Sequence, residues 1–195
     1  MTGTTDRVDR LAVVAFLPWL PPEPIASFRA KHDPTARIID PHVTLVFPVP
    51  ISIDADLFEE HVRRVVSATP SFDIRLSGLE KAWDHWLFLL VAEGRDEVVE
   101  LHDALYTGIL RPHLWSERPY VPHVGLGLFV VEGDRHDLLE PRPRVLDEVR
   151  FDAALREAEA FDVDRAGAIE RVHIVGLDAR LTEVLPLEEI RLRSS

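Results

Sequence analysis

The 195-residue chain has no cysteine, which excludes disulfides, thiolate nucleophiles and any zinc or iron–sulfur centre held by sulfur. No stretch approaches the roughly 18 to 20 apolar residues that a membrane-spanning helix needs. The N-terminus lacks the basic start, apolar run and small-residue cleavage site of a secretory leader, so the expected location is the cytoplasm. Basic side chains are scarce relative to acidic ones, 22 against 34, and the formal net charge is −12. That sign opposes the phosphate-covering surface by which a protein grips extended duplex nucleic acid. A local pocket for one nucleotide or a strand end remains open, because net charge governs long-range attraction and not a single site.

What is present is ordinary for a folded chain: 46% hydrophobic and 29% charged residues, with a mean hydropathy of −0.01. The length fits one domain of two small lobes spanning residues 1–195, expected as a monomer, with only 1–8 and 193–195 lacking anchors. Leu11–Leu17 reads as a buried strand closed by prolines, and a helix follows Pro22. Arg37–Val49 alternates as a strand. Asp54 opens a helix carrying Leu57, Phe58, Val62, Val65 and Val66 at helical spacing. Phe72–Leu79 and Trp86–Val91 read as a hairpin, and Gly94 leads into a further helix. Tyr120–Val131 reads as a strand, Phe151–Ala160 as a helix, and Ile169–Leu177 and Leu181–Leu192 as two closing strands. Hairpin-paired strands with a few interleaved helices define an α+β class.

One pattern repeats. Residues 40–49 (DPHVTLVFPV) and 121–130 (VPHVGLGLFV) agree at five of ten positions, and His123 follows His42 at an offset of 81. Two similar strands nearly half a chain apart imply two lobes presenting the same strand to a shared cleft. With strand period two, His42 and Thr44 share one face, while Val43, Leu45 and Phe47 take the other. In the second copy His123, Gly125 and Gly127 fall on the cleft face. Paired imidazoles suit phosphodiester chemistry, since an unperturbed histidine titrates near ~6.5 and can serve as base or acid at neutral pH. The Thr44 hydroxyl can donate to a non-bridging phosphate oxygen.

Pro41-His42-Val43-Thr44-Leu45 resembles the His-x-Thr/Ser-hydrophobic signature of the two-histidine phosphoesterases, which include the bacterial 2′-5′ RNA ligases and cyclic nucleotide phosphodiesterases. Tyr120-Val121-Pro122-His123-Val124 resembles the approach to the second copy. The resemblance, covering about Leu11 to Leu192, implies a bilobal pseudo-twofold fold with two antiparallel sheets flanking a cleft and helices outside. It also implies metal-independent cleavage of 2′,3′-cyclic phosphates or related RNA-end phosphoesters, with no cofactor, and 2′-5′ ligation as the reverse reaction. Gly125 departs from the pattern, since the family usually carries threonine or serine there. That motivates an alternative, a catalytically weak nucleotide-binding module of the same fold.

A lone strand histidine usually has no catalytic role; it is the duplication that assigns a site to His42 and His123. Arg118 and Tyr120, just before the second motif, and Arg37, before the first, are candidates to reach a phosphate or ribose from the rim. Gly125 is a candidate to enlarge the pocket. The other histidines (His32, His61, His85, His102, His113, His136 and His173) lack the close paired spacing of helical zinc sites and read as surface or structural groups. Trp83 and Trp86 read as packing between lobes, and the acidic stretch from Asp147 to Asp164 as a helix with a solvated face. A third reading, a protein-interaction domain using an acidic face, predicts no nucleotide affinity.

Overall fold

The computed structural model describes residues 8–117, 119–131, 138 and 143–194. β1 (Arg10–Phe16) buries every residue from Leu11 to Ala15, because β2 (His42–Pro50) and β7 (Arg171–Leu177) flank both of its edges. α1 (Ile25–His32) follows the proline-rich turn and buries Ile25, Phe28, Arg29 and His32. The Asp54 carboxylate caps α2 (Ala55–Ala68), accepting from the amides of Asp56 and Leu57 at 3.1 Å, a contribution of about 1 kcal/mol. The buried stripe of α2 runs through Phe58, His61, Val62, Val65 and Val66.

β3 (Phe72–Lys81) and β4 (Trp86–Glu93) form the expected hairpin. Gly94, at φ 71°, turns the chain into α3 (Arg95–Leu105); a Cβ there would lie 2.2 Å from the Asp73 carbonyl oxygen, so no other residue fits. A 3₁₀ turn (Gly108–His113), β5 (His123–Leu128), α4 (Glu148–Glu159), β6 (Asp164–Ile169) and β8 (Val184–Arg191) complete the order. α4 puts Phe151, Ala154 and Ala158 inward and its acidic face outward, as the amphipathic pattern requires.

The strands form one eight-stranded antiparallel sheet in the order β6-β3-β4-β5-β2-β1-β7-β8. β6 and β7 are separated in sequence by Glu170 alone, yet stand six places apart in that order. One residue spans less than about 4 Å, so the sheet must curl until β6 and β7 meet. The ladder between β2 and β5 consists of one register pair, Val43 opposite Val124. α1 and α4 pack over β3–β4–β5, while α2 and α3 pack over β2 and β8. The opposite, concave face of the sheet is left for the site.

The α+β class therefore holds, with one continuous curled sheet in place of two separate ones. Several local expectations are corrected. The strand expected from Arg37 begins at His42, because the Asp33 carboxylate gathers the Thr35 amide and hydroxyl at 2.7 Å and the buried Arg29 at 2.8 Å, folding residues 34–39 into turns. The strand expected over Ile169–Leu177 is preceded by a separate edge strand, β6, too polar and exposed to read as one. Of the ends expected to be loose, residues 1–7 and 195 lie outside the described residues. Val8 is buried, and Arg193 is pinned by backbone bonds to Thr69 and Ser71.

Candidate active site

Two X-Pro-His segments enter the concave face from adjacent strands. In each, the imidazole Nδ1 bonds the carbonyl two residues back: His42 to Asp40 at 2.7 Å and His123 to Val121 at 2.6 Å. The intervening Pro41 and Pro122 fix φ and hold the preceding residue extended, which aims that carbonyl at the ring. A carbonyl only accepts, so each Nδ1 carries the proton and each Nε2 is left as the unprotonated nitrogen of the neutral ring. Neither Nε2 has a protein partner among the described residues.

The Val43–Val124 pair sets the register. Antiparallel geometry places Thr44 opposite His123 and His42 opposite Gly125, all on the face away from the two valines. The histidines are thus diagonal neighbours, about 7 to 8 Å apart by sheet geometry, a gap that one tetrahedral phosphate spans. The Thr44 hydroxyl makes no hydrogen bond to the protein among the described residues. Thr44 is held instead through its main chain, whose carbonyl accepts the Tyr120 hydroxyl at 2.7 Å. Tyr120 in turn stacks on the buried His102, with ring centroids 3.9 Å apart and planes 5° apart.

Both imidazoles are driven toward the neutral form. Burial pushes His123 down to about 4, against the opposing bond to the Val121 carbonyl and with a further push from the neighbouring His42. Burial also lowers His42, opposed by the Asp40 carbonyl bond. Phe88 of β4 contributes to this dryness by stacking flat on His123, with centroids 3.4 Å apart and planes inclined by 16°. Phe16 of β1 stands edge-on to His42 at 6.1 Å.

Gly125 meets the indole of Trp86, whose Cε3 and Cζ3 lie 3.6 Å from where a Cβ would stand, an ordinary contact. The second strand therefore offers an aromatic wall where the first offers a hydroxyl. Gly127, expected on the cleft face, lies on the helix side, because a bulge after Gly125 makes Leu87 its partner. A Cβ at Gly127 would lie 2.7 Å from the His32 Cβ, so glycine there lets α1 approach β5. Phe47, expected in the core, is 45% exposed, because irregular register between β1 and β2 turns Val46 inward instead.

Arg37 is exposed in the turn before β2, and no hydrogen bond or ion pair joins it to His42. Arg118 lies outside the described residues, as does His136. Trp83 does not pack between lobes: it is 51% exposed, edge-on to Trp115 at 5.0 Å. Phe88 and Phe16 were not anticipated beside the histidines, nor the Arg29–Asp33 pair behind the turn that leads to His42. The alternation of Trp86, Phe88 and Leu90 along β4 carried a signal for the first of these. A groove between α1 and α4, lined by Ile25, Phe28, Leu126 and Phe151, lies on the helix side of the sheet and contains neither histidine of the pair. Among the described residues no group of three or more histidine, aspartate or glutamate side chains is placed to hold a metal ion. No described helix is long and apolar enough to cross a membrane.

Comparisons with known proteins identify the family and the fold. The model of the 2′-5′ RNA ligase superfamily matches residues 18–173, and the chain belongs to that family, the two-histidine phosphoesterases. A Bacillus licheniformis protein named "Putative phosphoesterase" is 26% identical over 115 residues, covering 58% of this chain and 67% of its own. A similarly named protein of Geobacillus kaustophilus is 26% identical over 105 residues, and the match spans 58% of its length. Among solved structures, E. coli LigT complexed with 3′-AMP shares the fold at a TM-score of 0.62 and 20% identity, covering 95% of this chain and 98% of LigT. The protein TT0787 of Thermus thermophilus does so at 0.60 and 19%, covering 95% and 99%.

Proposed function

We propose that the protein is a metal-independent phosphodiesterase that opens 2′,3′-cyclic phosphates or related RNA-end and nucleotide phosphoesters by two-histidine acid–base catalysis. The observation that carries the reading is the matched pair of Nδ1–carbonyl bonds, which leaves the Nε2 of both histidines without a protein partner among the described residues, on adjacent strands whose register sets Thr44 beside them. One imidazole of the pair, neutral, is the base and the other, protonated, is the acid. Nε2 of the first takes a proton from water as the water oxygen bonds to phosphorus. The P–O ester bond on the far side breaks, and the leaving oxygen takes the proton held on Nε2 of the second. Thr44 donates to a non-bridging oxygen, where negative charge grows in the transition state. With a 5′ hydroxyl in place of water, the same two proton transfers open the cyclic phosphate: the 5′ oxygen bonds to phosphorus, the P–O3′ bond breaks, and a 2′-5′ phosphodiester is left, so ligation is compatible with the same site.

Gly125 belongs to the substrate pocket and Tyr120 positions Thr44 through its carbonyl, while Arg37 and Arg118, which precede the two motifs in sequence, are the candidates to meet ribose or phosphate. The E. coli LigT structures that share this fold hold 3′-AMP, ATP or NADP+, and ligands of that small-nucleotide class suit this cleft. Incubating 2′,3′-cyclic AMP with the protein in excess chelator tests the proposal, with formation of an AMP monoester expected. Nucleotide binding without product would favour the second reading, a nucleotide-binding module with weak chemistry, which the missing hydroxyl at Gly125 motivates.

A further inference from the structure

The concave face continues beyond His42 onto β1, β7 and β8. Phe16 touches both His42, at 6.1 Å, and His173, at 4.8 Å, so His173 of β7 stands on the same face, one ring away from the reacting centre. Strand alternation puts Arg171 on that face as well. Opposite them on β8 stand Glu189, across from His173, and Arg191, across from Arg171.

Like charges directly opposed across antiparallel strands repel. Arg171 has a partial answer, a contact at 3.0 Å to Glu189 that is half-exposed on both sides and correspondingly weak. Arg191 is exposed and has no hydrogen bond or ion pair among the described residues. His173 Nε2 lies 3.4 Å from the same Glu189, while its Nδ1 is buried without a partner among the described residues. One carboxylate thus faces two guanidinium groups and an imidazole, in a chain that is strongly acidic elsewhere. Such a strip is stable as it stands but has unused capacity for an anion.

We infer that Arg171 and Arg191, with His173, form a second phosphate subsite that binds a phosphate one nucleotide removed from the phosphoester held between His42 and His123. The inference rests on the phosphodiester reading of the cleft. β7 lies two strands from β2, about 10 Å between backbones, and an arginine side chain reaches back across part of that distance. A phosphate on the 5′ side of the same nucleoside lands there. It is either a terminal phosphate monoester or the next diester of an RNA chain. The substrate class thereby narrows to nucleotides bearing a second phosphate.

Titration calorimetry with two probes tests this: adenosine 3′-monophosphate, and adenosine 3′,5′-bisphosphate. The wild-type protein should bind the bisphosphate about tenfold tighter than the monophosphate. In R171Q/R191Q that advantage should vanish while the monophosphate affinity stays unchanged, and R191K should keep most of it. Thermal unfolding of R191Q should occur no lower than wild type, since the substitution relieves repulsion, and this separates loss of the subsite from loss of the fold. A diadenosine 3′-phosphate arm identifies the source. A larger loss for it points to the RNA diester, and a larger loss for the bisphosphate points to the terminal monoester. Equal affinities for the two probes in wild type, or an advantage that survives the double substitution, would overturn the subsite. Failure of the 3′-monophosphate to bind, together with no turnover of cyclic nucleotides, would instead refute the phosphodiester reading itself.

Discussion

The free enzyme should work best on the acid side of neutrality, and the reason lies in the dryness of the histidine pair. Catalysis requires one imidazole neutral and the other protonated. Burial pushes His123 down to about 4 and lowers His42 below its ordinary 6.5. An imidazole titrating no higher than 6.5 holds its proton in no more than about a quarter of molecules at pH 7, and in about a tenth of that share one pH unit higher. Therefore kcat/KM, which reports the free enzyme, should peak below about pH 6.5 and fall about tenfold per pH unit above it. Once a phosphodiester anion lies between the rings it favours the imidazolium, so the corresponding limb in kcat should move to higher pH than in kcat/KM. Initial rates on 2′,3′-cyclic AMP from pH 4 to 8.5 in constant-ionic-strength buffers measure both limbs. A kcat/KM that is flat from pH 6 to 8, or that peaks above pH 7, would refute the reasoning.

The same shift acts on stability. His123 binds its proton more weakly folded than unfolded, so stability should rise with pH between about 4 and 6.5 and be lost below, by an amount on the order of 2 to 3 kcal/mol for a half-buried ring; His123→Ala should flatten that part of a Tm-versus-pH curve. Thr44→Val keeps the strand but removes the donor to the phosphate, and should lower kcat/KM by about 10- to 100-fold with little change in Tm. Gly125→Ser places a Cβ in ordinary contact with Trp86 and restores a hydroxyl, and should raise kcat/KM on a cyclic mononucleotide by up to about tenfold; a fall would assign the glycine to substrate choice. Arg29→Ala leaves the buried Asp33 carboxylate without its 2.8 Å partner and should destabilise the protein by about 3 to 5 kcal/mol in denaturant unfolding.

The duplicated Pro-His-Val-x-Leu pattern was enough to single out the candidate site, because the proposed chemistry requires the residues that repeat. The prolines were part of that message: Pro41 and Pro122 aim the carbonyls that hold both rings. What the pattern could not convey is register. A bulge after Gly125 sends Gly127 to the helix side, and irregular pairing of β1 with β2 exposes Phe47; period-two reasoning has no means of locating either extra residue. The edge strand β6 was lost because its Asp-Arg-Ala-Gly-Ala-Ile sequence lacks alternation, and only pairing with β3 makes it a strand. Long-range partners were equally hidden. Nothing in the sequence near His123 announces that Phe88 lies flat on its ring, or that the buried Arg29–Asp33 pair shapes the approach to His42. The lowering of both imidazoles was hidden as well, since burial belongs to the folded neighbourhood and not to the residue.

The most direct test of the central claim compares wild type, His42→Ala and His123→Ala for turnover of 2′,3′-cyclic AMP in excess chelator near pH 6, with circular dichroism confirming that all three are folded. Chelator-resistant turnover in wild type and loss of at least about a thousandfold in each variant is the predicted result, because neither imidazole can supply both proton transfers. Substantial activity in either folded variant would contradict the two-histidine account.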